Sequence, residues 1–296
     1  MSLNPKQSSE KSNRRLKAQR QLYSEAKGWW IADFFLTVVI TVLISIIRVF
    51  AADIDLSLLA GCWALLATFL SFVVFTPIYR RKQSEAAGIQ ELFDCDVLGI
   101  PASPMIKCPP EDKMVELSNH YDREGKSEGT LKDWYPVTLD NLPEGAATAI
   151  CQRINSRWDE KLRTRYLHVL GWTTGAFVLV VVVTSLALDL TLKGLIMSTL
   201  LPLLPGLKFL IKQIQDSLAT TRRLEQLSEH SLERLNLLSA GNEPVMSARN
   251  IQDEIYQHRK STALIPDWFF MRYRTTEEAS MTSYASHLVA EFEGSN

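Results

Sequence analysis

Apolar residues along this chain crowd into four windows, 29–50, 56–79, 166–188 and 192–211, and the charged residues lie almost entirely outside them. Each window has about the 20 residues that a helix needs to cross the hydrocarbon of a bilayer. A surface helix of a soluble protein keeps a polar face for water, and these windows keep almost none. Four of them in 296 residues predict an all-α integral membrane protein with four transmembrane helices in two hairpins and helical cytoplasmic extensions.

Helical periodicity continues past the windows. Ala86, Ile89, Leu92 and Phe93 share a face after the second window, and Ile150, Ile154, Trp158 and Leu162 recur every four residues into the third. Ile214, Leu218, Leu224, Leu227, Leu235 and Leu238 carry the fourth out into a polar helix. Pro101, Pro104, Pro109 and Pro110 forbid a long regular element between them, and a short helix is expected over 111–121. Another helix is expected over 251–260. A last one begins at Thr275, where Glu278 completes a capping box and Met281, Tyr284, Leu288 and Phe292 form the apolar stripe. The polar start of the chain reads as disordered before about Asn13, and the main strand signal is at 134–139.

These patterns divide the chain into a basic amino-terminal segment (1–28), a first hairpin (29–79), a middle region (80–165), a second hairpin (166–211) and a carboxyl-terminal region (212–296). The first window is read as an uncleaved anchor, because 28 mostly polar residues precede it and its apolar core exceeds that of a secretion signal.

The formal net charge of −1 hides an asymmetry. Lys and Arg near the window ends number eighteen on one side and two, Arg48 and Lys193, on the other. Such charges resist translocation during insertion, so both termini and the middle region are assigned to the cytoplasm. The basic residues of 1–28 suit anionic headgroups of the inner leaflet, and equally a solvated tail that fixes topology.

Nucleotide-binding glycine loops, zinc-protease and serine-hydrolase signatures are absent. None of the four cysteines forms a CxxC pair, so reduced structural thiols are expected. Asp94 and Asp96 bracket Cys95, which supplies too few ligands to argue a metal site. No cofactor is expected.

Polar residues inside the windows carry more information. Asp33, Thr37, Thr41 and Ser45 recur every four residues and give the first span one polar face, either lining a conduction path or bonding its own backbone and a neighbouring helix. Ser57, Gly61, Ala64, Thr68 and Ser71 form a small-residue stripe for close packing on the second. Pro202, Pro205 and Gly206 weaken the helix ladder in the fourth and mark a hinge or a fixed bend.

On the cytoplasmic side, Trp134, Arg153 and Arg157 fall in one motif cluster, and Tyr256, Arg259 and Trp268 in another. Guanidinium groups hold phosphates and aromatic faces stack bases, so these six are the candidates for a nucleotide ligand. Salt bridges and core packing account for the same residue types.

The blocks IQELFDCDVLGIP (89–101), WYP (134–136), CQRINSRWDEKLR (151–163) and IQDEIYQHRKS with IPDWF (251–269) resemble the SMODS-associating four-transmembrane effector family. The resemblance implies a pore-forming effector of bacterial anti-phage defence in the inner membrane. It further implies a neighbouring nucleotidyltransferase whose cyclic di- or oligonucleotide signal activates the effector. Four helices leave little lumen within one chain, so a homo-oligomer is expected. The residues alone leave open a membrane enzyme acting on lipid or nucleotide, and a scaffold for the nucleotidyltransferase.

Overall fold

The computed structural model describes residues 3–50, 57–126, 131, 133–187 and 191–295. Every regular element among them is helical. In chain order they are α1 (Leu3–Gln7), α2 (Glu10–Phe34), α3 (Ile40–Phe50), α4 (Ser57–Leu70), α5 (Thr76–Leu98), α6 (Glu111–Arg123), α7 (Glu144–Ala187), α8 (Leu192–Gly194), α9 (Leu201–Ser239), α10 (Ala248–Ser261) and α11 (Asp267–Ser295). Widened π turns over Phe35–Val39, Ser71–Phe75 and Leu195–Leu200 join α2 to α3, α4 to α5 and α8 to α9. The expected outer turns, at 51–55 and around 189–191, fall wholly or largely outside the described residues.

Three local expectations are corrected. The chain is helical from Leu3, because Asp140 Oδ1 accepts from the Leu3 and Asn4 amides at 2.6 and 3.2 Å and the Leu3 side chain is buried. The strand signal at 134–139 resolves into a 3₁₀ turn, Val137–Leu139. The last helix starts at Asp267 and not at Thr275. The Pro266 carbonyl accepts from the amides of Phe269 and Phe270, and Glu278 pairs with Arg274 in mid-helix at 2.5 Å.

The chain divides into two compact units. The first comprises Met1–Glu25, Arg80–Arg163 and Ala219–Asn296, and the second Ala26–Tyr79 and Thr164–Leu218. The division falls inside continuous helices, namely α2, α5, α7 and α9.

In the second unit, large apolar side chains face outward. Leu58, Phe72, Trp172 and Leu186 are 72–81% exposed, an arrangement that suits lipid and not water. Three helical runs, Glu10–Ile47, Leu58–Leu98 and Glu144–Ala187, are long and apolar enough to cross a membrane. The fourth window is helical too, as α8, the turn at Leu195–Leu200 and the start of α9. Within this unit α3 packs on α4 and on the Leu195–Leu200 turn. Ala60 and Ala67 are the fully buried small residues of α4, more so than the stripe expected there.

The first unit has an ordinary apolar core. Phe93 and Val97 of α5, Ile150 and Ile154 of α7, Leu235 of α9 and Met281, Leu288 and Phe292 of α11 meet in it. Basic side chains of the amino-terminal segment are paired here, Lys11 and Arg15 with Asp96, Arg14 with Glu111, and Lys17 with Asp122. Four of the segment's basic side chains thus have carboxylate partners within the chain, and Lys11 among them stays more than half exposed.

Candidate functional site

The polar face of the first span lies inside the second unit. Asp33, Thr37, Thr41 and Ser45 are all buried. The Thr37 hydroxyl donates to the Asp33 carbonyl at 2.7 Å and the Ser45 hydroxyl to the Thr41 carbonyl at 3.0 Å. Such back-bonding satisfies a hydroxyl where no water is at hand. Two members also reach a second helix, since Trp63 Nε1 donates to Thr41 Oγ1 at 3.4 Å and the Ser71 hydroxyl bonds the Asp33 carboxylate. The other carboxylate oxygen, Asp33 Oδ1, has no hydrogen-bond partner among the described residues.

Gly206 and Pro205 of the expected hinge are buried. A Cβ on Gly206 would lie 3.2 Å from the Thr37 carbonyl oxygen and 3.4 Å from Val38 Cα, so the absence of a side chain lets α9 approach the backbone of the π turn closely. Pro205 sits inside α9, and the widened turn at Leu195–Leu200 precedes both prolines.

In the first unit a charged network is folded into the core. Arg259 Nη1 donates to Asp94 Oδ2 and Arg249 Nη2 to Glu91 Oε1, both at 2.5 Å. Gln252 Nε2 bridges the acids, donating to Glu91 Oε2 at 2.8 Å and Asp94 Oδ2 at 3.1 Å. The Tyr135 hydroxyl donates to Asp94 Oδ1 at 2.8 Å and accepts from Asn155 Nδ2 at 2.9 Å. Burial, reinforced by Asp94, raises the Glu91 pKa, and burial with the neighbouring Glu91 pushes the Cys95 thiol up to about 12. Burial opposes the charge on Arg259 and Arg249, but the adjacent carboxylates outweigh it and hold both above the ordinary arginine range. Asp94 and Asp96 turn to different partners, the second to Lys11 and Arg15.

The six nucleotide candidates are therefore mostly engaged within the protein. Arg259 holds Asp94. Arg153 donates from Nε to the Tyr284 hydroxyl at 2.7 Å and from Nη1 to the Ser228 carbonyl at 2.5 Å. Arg157 pairs with Glu160 of its own helix at 2.8 Å. Trp134 meets the Phe93 ring edge-on, and the buried Tyr256 hydroxyl accepts from the Lys107 amide at 3.2 Å. Trp268 alone is largely exposed.

Sequence reasoning passed over Glu91, Arg249 and Gln152 as partners. Their signal is a pair of acids, Glu91 and Asp94, set within the apolar stripe of α5, matched by Arg249, Gln252, Tyr256 and Arg259 on one face of α10. Gln152 Nε2 completes the set by donating to Gln252 Oε1 at 3.1 Å.

A second buried cluster lies near the unit boundary. His258 Nε2 is 2.8 Å from Asp159 Oδ2, which also accepts from Arg163 Nε at 3.0 Å. Burial works against the Asp159 carboxylate, yet Arg163 and His258 outweigh it and hold the carboxyl well below the usual range. No curated protein and no solved structure matches the chain. A long-range network built from the DCD and QDEIYQHR blocks, in a chain with helices apolar enough to span a bilayer, accords with a matching family model. Covering residues 2–288, that match establishes that the chain belongs to the SMODS-associating 4TM effector domain family.

Proposed function

We propose that the chain is a membrane-permeabilising effector of a nucleotide-signalled bacterial defence system, working as a homo-oligomer in the inner membrane. It crosses the bilayer four times with both termini in the cytoplasm. The family description names association with SMODS, so a SMODS nucleotidyltransferase is the proposed source of the signal, a cyclic di- or oligonucleotide.

The observation that carries this reading is the continuity of α2, α5, α7 and α9 from the polar unit into the apolar one. A shift of a helix end in the first unit is transmitted along the same rod into its membrane segment. On this reading the Asp33, Thr37, Thr41 and Ser45 face borders the path once the segments separate. An anionic signal read by the chain itself competes for Arg153, Arg157 or Arg259 with Ser228, Glu160 or Asp94, with Trp134 or Tyr256 near its bases. Displacing those internal acceptors loosens the polar core.

Full-length protein in dye-loaded liposomes tests this. Dye release on adding one member of a panel of cyclic di- and trinucleotides, or the nucleotidyltransferase itself, is the expected result. Thr41→Val removes a buried hydroxyl at nearly constant volume and is expected to reduce release. Substrate turnover without release identifies a membrane enzyme instead, and co-purification with the nucleotidyltransferase without either identifies a scaffold.

A further inference from the structure

The segment between α10 and α11 is held by hydrogen bonds to three different helices. Arg80 Nη1 of α5 donates to the carbonyls of Ser261 and Thr262 at 2.6 and 3.0 Å, and Gln83 Nε2 of the same helix to Thr262 at 2.7 Å. Arg163 Nη1 of α7 donates to the Ala263 carbonyl at 2.8 Å. The Thr220 hydroxyl of α9 lies 3.1 Å from that of Thr262. Just beyond, the Arg20 guanidinium of α2 stands 4.5 Å from the centre of the Phe270 ring. Residues 262–266 are all buried.

These donors occupy telling positions in the chain. Arg80 directly follows the apolar window ending at Tyr79, and Arg163 comes three residues before the window beginning at Tyr166. At 1.5 Å of rise per residue, both stand within about 5 Å of a window's end along their own helices. The first turn of α11 leaves from this collar and presents Trp268, Met271 and Arg272 outward at helical spacing. Trp268 is 67% exposed and Met271 52%. Among the described residues the Trp268 ring makes an edge contact with Phe269. Arg272, Lys260 and Arg222 form no ion pair among the described residues, although most other basic side chains of this unit do.

An exposed tryptophan and methionine are unfavourable in water, and Arg272 on the same face has no carboxylate partner among the described residues. The interfacial layer of a bilayer supplies both needs, an apolar bed for an amphipathic ring and phosphates for basic side chains. We propose that the Trp268–Met271–Arg272 face of α11 is a docking surface for anionic phospholipid headgroups of the membrane that the chain spans. This assigns Trp268 to lipid and not to a nucleotide base. The inference rests on membrane insertion of the windows and not on pore formation.

The test uses full-length protein with the two exposed cysteines, Cys62 and Cys108, replaced by alanine. A nitrobenzoxadiazole label is placed at Met271→Cys, at Val245→Cys as a solvent reference, or at Leu186→Cys as an insertion reference. Vesicles are phosphatidylcholine alone or with phosphatidylglycerol. The 271 probe is expected to be quenched by headgroup-nitroxide lipid and several-fold less by iodide than the 245 probe. Phosphatidylglycerol should strengthen the difference, and Arg272→Gln should remove that dependence. Iodide quenching at 271 equal to that at 245, or protection from both quenchers, overturns the docking surface when the 186 probe is quenched by acyl-chain nitroxide. Absence of quenching at 186 overturns the membrane reading itself and the docking surface with it.

Discussion

Arg259 Nη1 meets Asp94 Oδ2 at 2.5 Å in the core of the polar unit, with the carboxylate fully buried and the guanidinium nearly so. Breaking such a pair from one side leaves an uncompensated charge away from water. Arg259→Ala is therefore expected to cost about 3–5 kcal/mol of stability. Asp94→Asn/Arg259→Met removes both charges and should recover much of that loss. Thermal melts of the detergent-solubilised protein measure both. An Arg259→Ala melt equal to wild type would show that the arginine is free for a ligand.

Gly88 of α5 permits the proline-rich connector to lie directly on the helix. A Cβ at this position would come 2.1 Å from the Lys107 carbonyl oxygen and 2.9 Å from its carbon, and a backbone carbonyl cannot rotate away as a side chain does. Gly88→Ala should destabilise by about 1–3 kcal/mol, as other overpacked sites do. The connector should also become the first site of limited proteolysis. An unchanged melt and cleavage pattern would mean that the 101–110 segment does not hold this position in solution.

What was legible in the sequence follows from the range of each interaction. A run of 20 apolar residues is a statement about solvent, complete without any partner, so the windows could be read directly. The Asp33–Ser45 stripe was legible as a periodicity, but periodicity does not say whether a polar face meets a lumen or a neighbouring helix. The Glu91–Arg249 and Asp94–Arg259 pairs join residues about 160 positions apart, and nothing local announces them. The start of α11 was misplaced because the Thr275/Glu278 pattern imitates a capping box. The true signal was Pro266 followed by Asp267, a proline and an acid suited to a helix amino terminus. The folded state of the chain's first residues depends on Leu3 and on Asp140, a carboxylate more than 130 residues away.

Topology is testable with single cysteines in a background lacking the native ones. From eighteen Lys and Arg near the window ends on one side against two on the other, the expectation is that Asp55 lies outside and His120 inside. A membrane-impermeant maleimide added to intact spheroplasts should label Asp55→Cys and leave His120→Cys unlabelled until the membrane is opened. The reverse pattern would invert the assignment of both termini.

His258 gives the polar unit a pH dependence whose sign can be stated. Burial lowers its pKa below the ordinary histidine value, in spite of the Asp159 carboxylate at 2.8 Å. The unfolded chain then binds a proton that the folded chain resists, so stability is full above the unfolded value of about 6.5. It declines as the pH falls from there toward the folded value. Asp159, held below its usual range, contributes in the same sense, but its stabilisation is lost only on acidification below about pH 4. Glu91, raised by burial, acts in the opposite sense, its contribution being lost as the pH rises through its folded value. His258→Gln keeps a donor toward Asp159 and removes the titration, leaving Glu91 unchanged in both proteins. Melting temperature should fall more steeply from pH 7 to pH 5.5 in wild type than in His258→Gln. Parallel profiles would show that the imidazole titrates alike in the folded and unfolded chain.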